Sequence, residues 1–167
     1  MNNIDIAKGM VFQKLKIGNK TFDDRLISQK KIYLLQSLGT DLGYEYNWYV
    51  HGPYSPSLTN YIYNNIDVLS ATDFSSYRLS ETADNNSNLV NALDDLKEEG
   101  FPTPSWYELL ASLLFIKNNS SGWGVSDINS IFEKLIFYKP QYNKKQCRYA
   151  YDILQQQGLI RQEGENG

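Results

Sequence analysis

The stretch Asn47–Leu58, "NWYVHGPYSPSL", constrains the fold of this chain more than any other. Gly52 opens dihedrals closed to other residues, and Pro53 has no amide to donate, so neither a helix nor a strand is expected to run through them. Ahead of them, "YEYNWYV" over 44–50 alternates and is aromatic, which predicts a strand. Behind them, Ser55 suits a helix N-cap and Pro56 the first helical position. Leu58, Tyr61, Ile62, Ile66 and Leu69 recur at helical spacing and predict a helix over 56–69. The reading is a strand-to-helix corner in which His51, Gly52, Pro53, Tyr54 and Ser55 act structurally, with the turn at Gly-Pro.

The rest of the chain reads as helices. Met10, Val11, Leu15 and Ile17 predict a short amphipathic helix over 6–17. A second, over 23–38, opens on Asp23 and Asp24 and ends at Gly39. Leu26, Ile27, Tyr33, Leu34 and Leu38 form its apolar face, with Lys30 and Lys31 off it. A helix follows from Glu81 or Asn88 to Glu99, ended by Gly100. "FPTPS" is the clearest break, so the chain divides into 1–100 and a C-terminal helical extension, 101–167, packed on the first. In the extension, Ser105 or Thr103 caps a hydrophobic helix to Lys117. Ser126 caps a helix ending before Pro140, a last helix covers 143–157, and "LIRQE" reads as a short extended segment. The fold class is therefore mainly α, a winged-helix-like helical domain with a small β element.

Reactive chemistry finds little to stand on. His51 is the only histidine and Cys147 the only cysteine. Nucleophilic catalysis needs a nucleophile in a partnered context, and neither Ser55 nor Cys147 has one. A metal site at His51 would need further ligands and there is no second histidine, while a single cysteine excludes a multi-cysteine site, so no metal and no cofactor is expected. Asp23 with Asp24, Asp94 with Asp95, and Glu98 with Glu99 are neighbours on helices and point in different directions. There is no phosphate-binding loop and no dinucleotide glycine pattern. The chain reads as a non-enzyme with no catalytic residue.

Charge is uneven along the chain. From Glu81 to Glu108 there are seven acids and one base. From Lys117 to Arg148 there are six bases and two acids, although the net charge is −3. The last two helices, a short turn and the extended segment stand in the order of a helix-turn-helix with a wing. Lys144, Lys145, Arg148 and Tyr149 lie near the start of the second helix, where a recognition helix reaches base edges and phosphates. A solvated lysine face on an ordinary helical hairpin is the competing reading.

Lys30, Tyr33, Leu34 and Leu35, then Trp48, Tyr49, Gly52, Pro53, Tyr54, Ser55 and Leu58, carry a further signal. "K-x-x-Y-L-L" on a helix, followed by an aromatic strand and "Y-x-x-G-P-Y-S-x-x-L", resembles the bacterial YwgA-type proteins. More distantly it resembles the Panacea (SocA-like) antitoxin domains. The resemblance covers residues 10 to 70. It implies a small, mainly helical, winged-helix-like fold in antitoxin, regulatory or phage-defence settings, and it implies no catalytic centre.

Two functional readings follow. The first is an adaptor or regulator acting through a protein partner, as an antitoxin-like or phage-defence subunit would, with Trp48, Tyr54, Tyr61, Tyr63, Trp106 and Trp123 as candidate contact aromatics. The second is a DNA-binding transcriptional regulator using the 143–157 helix on double-stranded DNA. Either accommodates a homodimer. No segment has the length and apolarity of a membrane span or a signal peptide, and a cytoplasmic location is expected.

Overall fold

The computed structural model describes residues 1–161. It is mainly helical with one small antiparallel sheet, and it divides into two compact units, Met1–Asp95 and Leu96–Gly167.

Unit 1 contains α1 (Asn3–Leu15), α2 (Phe22–Ser37), β1 (Asn47–Tyr49), β2 (Gly52–Tyr54), α3 (Pro56–Ala71) and α4 (Glu81–Ala92). A turn of 3-10 helix, Leu93–Leu96, follows α4. α1 begins earlier than its apolar spacing predicts because Asn2 caps it, accepting from the amide of Asp5. α2 opens on a reciprocal cap between Thr21 and Asp24. Val11, Phe12, Leu15, Ile32, Leu34, Leu35, Leu58, Ile62, Leu69 and Val90 form the core of this unit. Gly9 sits on α1 because a Cβ there would lie 2.4 Å from the ring of Phe74.

The predicted strand over 44–50 is shorter than its alternation implies, and it has a partner the sequence hides. β1 pairs with β2 in the register Asn47↔Tyr54, Trp48↔Pro53, Tyr49↔Gly52. The chain therefore turns at Val50 and His51, one step before Gly-Pro, and Gly52–Tyr54 is a strand. Gly52 has φ +88°, a backbone conformation that glycine takes without strain, directly after the two turn residues. Pro53 is tolerated because alternate positions of an antiparallel ladder exchange no hydrogen bonds. At such a position the carbonyl points outward, and Nζ of Lys30 meets the Pro53 oxygen at 2.5 Å.

Unit 2 contains α5 (Thr103–Asn118), the single turn α6 (Ser120–Trp123), α7 (Ile128–Tyr138) and α8 (Lys144–Gln156). α7 is capped by Asp127, not Ser126: the side chain of Asp127 accepts from the Ser130 amide at 2.8 Å. α8 is capped by Asn143 and Gln146 in the same reciprocal way. α5 packs on α7 and α8, burying Trp106, Tyr107, Leu110, Leu113 and Leu114 with Ile131, Phe132, Leu135, Tyr151 and Leu154. The expected extended segment at 159–163 is not a strand as far as Arg161, and its last two residues lie outside the described residues. No helix among the described residues is long and apolar enough to cross a membrane.

Candidate functional site

The side chains of α2 build the site by holding loops in place. Gln29, buried, reads the backbone of Ser55 from both sides: its Oε1 accepts from the Ser55 amide at 2.9 Å and its Nε2 donates to the Ser55 carbonyl at 3.0 Å. The same Nε2 donates to Oγ1 of Thr59 at 2.8 Å, and that hydroxyl donates on to the Tyr54 hydroxyl at 2.7 Å. Lys30 holds Pro53, and Lys31 reaches the Leu15 carbonyl at the end of α1 at 2.8 Å. Gln36 holds Tyr44 through both its amide and carbonyl, and Leu42 through its amide. Lys30 and Lys31 are thus buried, whereas their spacing had placed them off the apolar face. Their stems pack inside and their ammonium groups end on carbonyl oxygens. Burial pulls the Lys31 pKa down, and Asp94 opposes that pull.

The clamp leaves a cleft of about 490 Å³ between the start of α2, the hairpin and α3. Leu26 and Ile62 supply apolar lining, and Phe22, Tyr49, Val50 and Tyr63 stand in its walls. These four are strongly exposed, Val50 at 85% and Tyr63 at 79%. Tyr49 packs edge-on against Tyr54 with ring centroids 5.2 Å apart, and Phe22 packs against His51 at the same separation.

The residues of the 51–55 motif are therefore brought together, each with its own place. His51 is exposed at the hairpin turn and lines the cleft. Gly52 and Pro53 form the second strand, Tyr54 is half-buried in the cleft wall, and Ser55 is buried and caps α3. Among the contact aromatics, Tyr63 is open to solvent, whereas Trp48, Tyr54, Tyr61 and Trp123 are half-buried and Trp106 is buried. Phe22, Arg25 and Val50 were missed. Their only signal is that Phe22 and Val50 are large apolar residues sitting in a cap and a turn, where no core periodicity needs them.

In unit 2, Lys144 and Lys145 are exposed in the first turn of α8. Arg148, also exposed, lies 3.7 Å from Asp152 and over the ring of Phe132, 5.1 Å from its centroid. Tyr149 turns inward, its hydroxyl donating to the Leu96 carbonyl at 2.6 Å. Beneath α8, Glu108 accepts from the Tyr142 hydroxyl at 2.8 Å and lies 3.7 Å from the ammonium of Lys139, all three buried. Burial lowers the Lys139 pKa against the pull of Glu108, and burial together with Glu108 raises that of Tyr142. Cys147 is fully buried and burial pushes its thiol up to about 12, the reverse of an activated thiolate. Among the described residues, no three His, Cys, Asp or Glu side chains are grouped as metal ligands would be.

Comparisons with protein-family models, with curated proteins and with solved structures find no match to this chain.

Proposed function

We propose that the chain is a non-enzymatic adaptor or regulator that works by seating an apolar segment of a partner protein in the cleft of unit 1. One observation carries the reading: Phe22, Tyr49, Val50 and Tyr63, all exposed, converge on a single cleft. Scattered exposed apolar side chains are ordinary, but several lining one concave surface mark an interaction site. Tyrosine and phenylalanine suit the role, since they give large contact area for little loss of side-chain freedom. The clamp from Gln29 and Lys30 pre-organises the hairpin wall, so ordering it costs little on binding. A winged-helix-like relationship and an antitoxin-like or phage-defence setting in the cytoplasm, both implied by the resemblance of residues 10 to 70, belong to this proposal. The test is affinity capture of partner proteins with the full chain beside a Val50→Asp, Tyr63→Glu double variant. The expected result is a set of proteins held by the wild type and lost by the variant, whose circular dichroism is unchanged. Identical capture by both sinks the reading.

A second reading has its own support, the exposed Lys144, Lys145 and Arg148 on the first turns of α8 in a helix-turn-helix order. On this reading the chain is a transcriptional regulator that binds double-stranded DNA. Its affinity for a labelled duplex then falls steeply with salt, and Lys144→Glu with Lys145→Glu lowers the logarithmic slope by about two. An unchanged slope removes α8 from consideration.

A further inference from the structure

The charge of the cleft selects its occupant. Among the described residues that line it, none is acidic, whereas Arg25, Lys30 and His51 are basic. We infer that the cleft takes a partner segment in which an aspartate or glutamate lies beside large apolar anchors, with its carboxylate on the guanidinium of Arg25. This inference rests on the reading of the cleft as a protein-binding site.

Arg25 lies one helical turn after Phe22, with its guanidinium carbon 5.9 Å from the Phe22 ring centroid. One N–H reaches the Asn19 carbonyl at a long 3.4 Å. The side chain is exposed, and among the described residues it has no carboxylate partner. The two acids nearest in sequence do not line the cleft. Asp24 is turned to the α2 N-terminus, where its Oδ2 accepts from the Thr21 amide at 3.2 Å. A guanidinium presents its N–H groups as a fixed fork, and a carboxylate is the group that fills such a fork with two parallel bonds. Apolar anchors seated against these walls would displace water beside that fork, which strengthens the pairing over one on open surface.

Lys30 has a different part. Its Nζ is fixed on the Pro53 carbonyl, so it adds positive field from below without reaching for the ligand. A basic segment entering the same cleft meets Arg25 and Lys30 with no acid in the lining to receive its charge, and that mismatch rejects it. The apolar anchors enter between Leu26, Ile62 and Tyr63.

The experiment is selection from a random peptide library against the full chain, with the Val50→Asp, Tyr63→Glu variant as counter-bait. Selected peptides are expected to combine apolar anchors with an aspartate or glutamate. Replacing that acid by its amide is expected to weaken binding about tenfold or more, the loss of one charge-assisted pair. Arg25→Glu is expected to remove the preference for acid and to favour the lysine version of the same peptide. Peptides that need the cleft but are indifferent to the acid and to Arg25→Glu overturn the inference while the cleft reading stands. Peptides that bind both baits equally, or a selection that enriches nothing, overturn both.

Discussion

In unit 1 the buried polar side chains point at backbone: Gln29 at Ser55, Lys30 at Pro53, Lys31 at Leu15. In unit 2 the buried charges meet each other: Lys139 turns to Glu108, and so does Tyr142, which also reaches the Ser105 carbonyl. The difference follows from what each unit has to hold. A two-stranded hairpin is too small to stand alone, and the loop at 42–44 has no ladder at all, so their backbone groups need partners brought from α2. The helices of unit 2 satisfy their own backbone, and a cluster of side chains fixes how the α7–α8 turn meets α5. Clamping irregular chain leaves a concave, apolar-walled surface. Locking helix to helix needs no such clamp.

This contrast predicts where each unit breaks. The largest effect is expected at Glu108. Glu108→Ala leaves the buried ammonium of Lys139 without that carboxylate and leaves the Tyr142 hydroxyl only the Ser105 carbonyl, 3.1 Å away. The cost is expected to be about 3–5 kcal/mol in urea unfolding. Replacing charge by shape, Glu108→Leu with Lys139→Met, is expected to cost less than Glu108→Ala alone. Equal and additive losses would mean that the three side chains do not act as a cluster, and the contrast between the units would fall.

Gln29→Ala is the counterpart in unit 1, with an expected cost of about 2–3 kcal/mol, since the amide and carbonyl of Ser55 lose that partner in a buried place. The signature separates it from the first variant. Amide hydrogen exchange is expected to quicken through Asn47–Ser55 while α5, α7 and α8 keep their protection. Uniform quickening across both units would show that Gln29 supports the core and is no local clamp.

The clamp was also the least legible part of the chain. Ser55 and Pro56 announced the start of α3, and the apolar spacing at Leu58, Ile62, Ile66 and Leu69 announced its face. Such signals are local: a cap and a helical stripe are each contained in a few neighbouring residues. Lys30 and Lys31 gave the wrong impression, and Gln29 gave no signal, because polarity stands for exposure only on average, and these three end on carbonyls distant in sequence. Pro53 hid a strand for a related reason. Its missing amide forbids half the ladder positions and is harmless at the other half, and only the register tells which applies. The cleft walls escaped notice because Phe22 and Val50 carry no periodicity, and Arg25 looks like any charged residue on a helix surface. At α8 the sequence placed the helix and its basic first turn, but nothing in "CRYAY" distinguishes Tyr149, turned inward to Leu96, from a residue facing outward.

The smallest expected effect sharpens the contrast through pH, because the chain's single thiol lies in unit 2. Burial holds Cys147 at about 12 against an ordinary value of 9.0. Between those values the native protein keeps the proton and the unfolded chain releases it. Protons therefore favour the folded state, the thiol's contribution is complete below 9.0, and it is lost as pH rises above that. The loss approaches about 1.4 kcal/mol per pH unit. Tyr142, raised, pulls the same way at higher pH, and Lys139, lowered, pulls the opposite way. Both remain in a Cys147→Ala variant and largely cancel when the two proteins are compared, since Cys147 is the smallest of the causes that raise Tyr142. The stability difference between wild type and Cys147→Ala, from urea unfolding under reducing conditions, is expected to be flat up to about pH 9 and to shrink by about 1 kcal/mol over the next unit. Curves that stay parallel would place the thiol in contact with water, and α8 would then pack less tightly against α5 than the burial of Cys147 requires.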